Sequence, residues 1–133
     1  MALTGIADTR LLITLQFPPN EETKKRVEIA LSRELAHRLL APSIVLTEFI
    51  RVAGPRIGEK AALVRLNLLK ERGMRIVALG EQASIAAGKL LLARQNAPIA
   101  DALIASFVKL GVADYVITDD PHYKELGVHT SWI

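Results

Sequence analysis

Short β-type runs alternate with helical runs along the whole chain, and that alternation constrains the fold more than any single motif. Leu3-Thr4-Gly5-Ile6-Ala7 reads as a buried strand ending at Asp8, and Arg10 to Leu15 turns back as a short helix. Pro18-Pro19-Asn20 breaks that helix. Asn20-Glu21-Glu22 starts the next one with acids in its first turn, and Val27, Ala30, Leu31 and Leu35 form its apolar stripe. Arg38-Leu39-Leu40-Ala41 is the second strand. Pro42 stops it, and Ser43 is placed to cap a helix running to about Ala53. Gly54-Pro55 divides that helix from another over Ile57 to Arg72, which Gly73 closes. Arg75 to Leu79 is the third strand. A helix from Gly80-Glu81 to about Gln95 follows, then one that opens at Pro98 and ends at a Gly111 cap. Tyr115 to Thr118 is the fourth strand, and Val128-His129-Thr130 is a fifth at an edge. Strands separated by helices cannot pair as hairpins. They build a mainly parallel sheet of four or five strands with helices on both faces.

A length of 133 residues suits a single domain over residues 1–133 with a real core. Half of the residues are hydrophobic and 23% are charged, a balance that excludes disorder. No apolar run approaches the length of a membrane span. The start lacks the basic region and cleavage site of a signal peptide, so a cytoplasmic location is expected. With no cysteine, disulfides, thiolate catalysis and cysteine zinc sites are excluded. The net charge of +3 tolerates an anionic partner without requiring one.

The acids carry the chemistry. Asp8 and the pair Asp119–Asp120 fall at the carboxyl ends of the first and fourth strands, the edge at which open α/β sheets build their sites. Glu48 and Asp101 fall on helices. At about 100° per residue, Glu48 has Ile44, Val45, Arg51 and Val52 as neighbours, and Asp101 has Ala97, Pro98, Ile104, Ala105 and Val108. A carboxylate on an apolar face is costly unless something compensates it. Each acid also has a plain structural reading: a turn or cap at Asp8, an ion pair between Glu48 and Arg51, a helix-dipole contact at Asp101, and a solvated turn at Asp119-Asp120. Together they can converge on one cleft. Two carboxylates about 4 Å apart repel by roughly 4 kcal/mol at an effective dielectric of 20. Such a cluster binds protons or cations, and Mg²⁺ or Mn²⁺ are the natural partners of oxygen ligands. His37, His122 and His129 show no zinc spacing. His37 reads as a helix-surface residue; His122 lies near the site but reads as a turn residue.

The order of "GIADTRLL", "PSIVLTEFIRV", "APIADALIASFVKLG" and "YVITDDPHY" resembles the PIN-domain family, and most of all its small VapC-type toxins. The likeness spans nearly the whole chain. It implies a three-layer α/β/α sandwich and a Mg²⁺- or Mn²⁺-dependent endoribonuclease that leaves a 5′-phosphate and a 3′-hydroxyl. The family's acids fall on Asp8, Glu48 and Asp101, with the fourth in a Thr-x-Asp-x-x-aromatic pattern. Thr118, Asp120 and Tyr123 match that pattern, so Asp120 is the choice. Asp119 stands one residue earlier as its alternative, and Thr118 supports the site through its hydroxyl. The chain departs from the family at Arg10, where a small polar residue is common. There Arg10 can contact phosphate, pair with an acid or point to solvent. Arg10 and Arg51 are the candidates for holding the RNA backbone. The resemblance further implies a homodimer, with Ala61–Leu66 and Ala86–Leu92 serving core and interface, and a VapB-type antitoxin as partner. Other readings are a PIN nuclease of RNA processing without an antitoxin, a non-catalytic RNA-binding module, and a structural α/β module. A phosphoryl-transfer receiver or phosphatase fits less well. It wants an acidic pair after the first strand, or a second Asp where Arg10 stands.

Overall fold

At the centre of the sheet lies β1 (Gly5–Ala7), in the order β3-β2-β1-β4-β5, with β2 at Leu39–Pro42, β3 at Arg75–Val77, β4 at Tyr115–Ile117 and β5 at Thr130–Ser131. The computed structural model describes residues 3–133. All neighbouring strands are parallel. Successive strand residues point to opposite faces, yet every residue of β1 and β2 is buried. Both faces are therefore covered, as a parallel sheet requires. The covering helices are α1 (Thr9–Gln16), α2 (Glu21–His37), α3 (Ser43–Ile57), α4 (Glu59–Glu71), α5 (Glu81–Ala93), α6 (Ile99–Lys109) and α7 (His122–Glu125). The result is the expected three-layer α/β/α sandwich. Its core joins Ile6, Leu40 and Val116 of the strands to Leu11, Leu31, Phe49 and Ile104 of the helices.

Local sequence explains most boundaries. Asn20 caps α2 through an Asn20 Oδ1 that accepts from Thr23 N at 2.8 Å. Val27, Ala30 and Leu31 form its buried stripe, but Glu34 is buried in the same stripe at 2% exposure. Four expectations need correction. Gly54-Pro55 does not divide two helices, because α3 runs through Pro55 to Ile57. Pro55 sits in the last turn, where its missing N–H deprives only one carbonyl of a partner. The break falls instead at Gly58, whose φ of +94° a residue with a Cβ rarely adopts. Ser43 does not cap α3. Its Oγ accepts from Leu79 N at 3.2 Å, tying the start of α3 to the segment after β3. That segment leaves the sheet at Val77 rather than Leu79, and β5 lies at Thr130–Ser131, shifted along the chain from the expected position.

From β1 the chain builds β2 and β3 on one side, then returns to place β4 on the other. Strand order reverses between β1 and β4, and this reversal opens a crevice at their carboxyl ends. Among the described residues, no helix is long and apolar enough to cross a membrane.

Candidate metal centre

Ala7 pairs with Ile117 in the register of β1 and β4, so Asp8 and Thr118 leave the sheet side by side. Thr118 Oγ1 donates to Asp8 Oδ2 at 2.7 Å. Asp8 Oδ1 accepts from Thr9 N at 2.7 Å, and Asp8 is the N-cap of α1. Thr118 Oγ1 also accepts from Asp120 N at 3.1 Å. One buried hydroxyl thus couples the two strand ends and fixes the backbone at Asp120. Asp120 Oδ1 accepts from His122 N at 2.9 Å, closing the turn that begins α7.

From the opposite wall, α6 contributes Asp101 in its first turn, at 9% exposure. Its Oδ1 accepts from the hydroxyl of the buried Tyr123 at 3.3 Å. Its Oδ2 is buried and has no hydrogen-bond partner; the same is true of His122 Nδ1. These two atoms lie 3.4 Å apart, and Nδ1 lies 3.0 Å from Asp120 Oδ1. One ligand atom each from Asp101, Asp120 and His122 falls within 4.8 Å of the others. Two carboxylates with an unpartnered buried oxygen suit a hard divalent cation.

The remaining candidates separate. Glu48, on α3, accepts from Thr9 Oγ1 at 2.6 Å and stands one residue behind Asp8. Asp119 is not part of the cluster. Arg10 clasps it, with Nη2 donating to Oδ2 at 3.0 Å and Nε to Oδ1. Of the three roles open to Arg10, the fold selects pairing with an acid.

The PIN domain family model matches residues 6–128. The chain belongs to the PIN domain family. No curated protein matches the sequence of this PIN domain. Among solved structures it is similar to the Mycobacterium tuberculosis VapC20 toxin, described as cleaving the sarcin-ricin loop. The TM-score is 0.75 and the identity 16%, over 94% of this chain and 96% of that one. It is also similar to VapBC2 from Rickettsia felis bound to a fragment of its promoter DNA, with a TM-score of 0.74 and 16% identity over 98% of each chain. A third is DNA-bound VapBC from Salmonella typhimurium, with a TM-score of 0.71 and 23% identity over 98% of each chain. At such identities the likeness is one of fold.

Electrostatics at this PIN site favour a cation. Burial pushes the Asp101 carboxyl up to about 6, helped by the charges of Asp8 and Asp120 and opposed by Tyr123 and His122. Burial also raises Asp8. Hydrogen bonds from Thr118, the Thr9 backbone and Tyr123 pull it back, and the charge of Glu48 adds to the rise. Burial, and then the charges of Asp8 and Asp101, raise the Tyr123 hydroxyl. Its hydroxyl is a donor to Asp101.

Sequence reading undervalued His122, which is a member of the cluster and not only a turn residue. The available signal was its place two residues after Asp120. An aspartate that accepts from the backbone two residues on brings that residue's backbone next to its carboxylate. Thr9, which holds Glu48, carried no such signal. A cleft of about 810 Å³ lies elsewhere and shares no residue with the cluster.

Proposed function

We propose that this PIN domain is a divalent-metal-dependent endoribonuclease of the VapC toxin type. The observation that carries the reading is the unpartnered, buried Asp101 Oδ2 facing Asp120 at the reversal of strand order. Family membership and the likeness to toxin chains in antitoxin complexes support it. Asp101, Asp120 and Asp8 would hold Mg²⁺ or Mn²⁺, with Glu48 as a further ligand or as the base that orients water. When bound, such a cation makes a water more acidic and offsets charge on the scissile phosphate. Thr118 fixes the orientation of Asp8 and the backbone of Asp120. Tyr123 excludes water behind Asp8 and Asp101 and donates to Asp101. Attack of water on phosphorus forms the new P–O bond and breaks the bond to the 3′ oxygen, which takes up a proton, leaving a 5′-phosphate and a 3′-hydroxyl. Asp119 is a tether for Arg10, which lies at the rim where an RNA backbone would pass.

The same reading includes a VapB-type antitoxin and a cytoplasmic homodimer. The dimer draws support from apolar side chains left exposed on the middle helices, Leu63 and Val64 on α4 and Ile85 and Leu92 on α5. In the expected segments Ala62, Leu66 and Ala87 are core, so only the outer positions remain for an interface.

Cleavage of a panel of structured RNAs by the purified protein with Mg²⁺ or Mn²⁺ tests the activity. Wild type should cleave, and Asp8→Asn and Asp101→Asn should lose cleavage. Full cleavage by either variant, or none by wild type with either metal, would overturn the assignment. Co-purification of a small partner protein tests the toxin class, and light scattering tests the dimer.

A further inference from the structure

We infer that His122 Nδ1 is a nitrogen ligand to the cation held by Asp101 and Asp120. The inference rests on the metal-dependent reading of this site and goes beyond it, because that reading uses carboxylates alone. Nδ1 is buried and makes no hydrogen bond, although it lies 3.0 Å from Asp120 Oδ1 and 3.4 Å from Asp101 Oδ2. A buried ring nitrogen this near two carboxylate oxygens, hydrogen-bonded to neither, is available with them to ligate one ion. An octahedron with metal–ligand bonds of about 2.1 Å has edges of roughly 3 Å, close to the 3.0 and 3.4 Å that separate Nδ1 from the two carboxylate oxygens. The ring is held there by the backbone. Asp120 Oδ1 accepts from His122 N, and Tyr123, the next residue, is anchored in the core on Asp101. The same turn therefore sets both the carboxylate and the imidazole.

Imidazole is a softer donor than carboxylate and favours transition ions over Mg²⁺. The mixed site should prefer Mn²⁺ or Zn²⁺ to Mg²⁺ more strongly than the His122→Asp variant does.

Pulsed electron paramagnetic resonance of the Mn²⁺-loaded protein reads nitrogen coordination directly. Wild type should show ¹⁴N modulation from a directly bound imidazole. His122→Gln should lose it and bind Mn²⁺ about tenfold more weakly by calorimetry. His129→Gln should change neither, since His37 and His129 line the large cleft outside the cluster. His122→Asn serves as a second variant, and circular dichroism confirms that each is folded. Mn²⁺ bound without ¹⁴N modulation, or modulation that survives in His122→Gln, would overturn the nitrogen ligand and leave the carboxylate site standing. No Mn²⁺ binding by wild type at millimolar concentration would overturn both.

Discussion

Thr118 Oγ1 reaches Asp8 Oδ2 across 2.7 Å and accepts from Asp120 N, so one hydroxyl joins the carboxyl ends of β1 and β4. Thr118→Val removes both bonds from a buried position and leaves an acidic oxygen without its donor. Urea denaturation should show a loss of about 1–3 kcal/mol, and Mn²⁺ affinity should fall as Asp8 loses its orientation. Stability and metal affinity both at wild-type values would contradict the coupling.

The two adjacent aspartates differ in role. Asp120→Asn should weaken Mn²⁺ binding at least tenfold, whereas Asp119→Asn should change it by less than about threefold, as expected for a side chain paired outside the cluster. Because the Arg10–Asp119 pair is well exposed, its removal should cost at most about 1 kcal/mol of stability. Equal effects of the two variants in calorimetry would refute the division.

Asp101 sets a pH dependence. Its carboxyl is raised from 3.8 to about 6, so it binds its proton more tightly in the folded chain than in the unfolded one. Protonation therefore favours the native state. In metal-free protein this contribution is full below pH 4 and is lost as pH rises through about 6, with a total of up to about 3 kcal/mol. Asp8, raised in the same direction, adds to the trend. Mn²⁺ should restore stability at neutral pH. A metal-free protein that gains stability from pH 4 to 6 by thermal melts would contradict this sign.

A second buried acid has a purely structural part. Glu34 accepts from the Tyr115 hydroxyl, joining α2 to β4 beneath the strand that begins at Gly5. A Cβ at Gly5 would lie 2.9 Å from Glu34 Oε2 and from Ile117 Cδ1. Gly5→Ala should therefore cost about 1–3 kcal/mol through overpacking, and Tyr115→Phe a similar amount through a lost partner of a buried carboxylate. Denaturation midpoints unchanged in both variants would argue against this packing.

Sequence alone determined the alternation of strands and helices and the parallel sheet, and it singled out Asp101 and Asp120, which the fold brings together. Apolar periodicity and the stops at Asp8, Pro42, Gly73 and Pro121 are local signals, written in neighbouring residues. The same locality explains the error at Gly54-Pro55. Whether a helix survives a proline depends on its distance from the helix end, and Gly58 set that end. Tertiary structure decided what depends on residues far apart in the chain. It sent Asp119 to Arg10 and Asp120 to Asp101, buried Glu34 against Tyr115, and brought the ring of His122 between two carboxylates. These outcomes depend on how β4 pairs with β1 and how α1, α2 and α6 pack against the sheet, which no single stretch of sequence encodes in full.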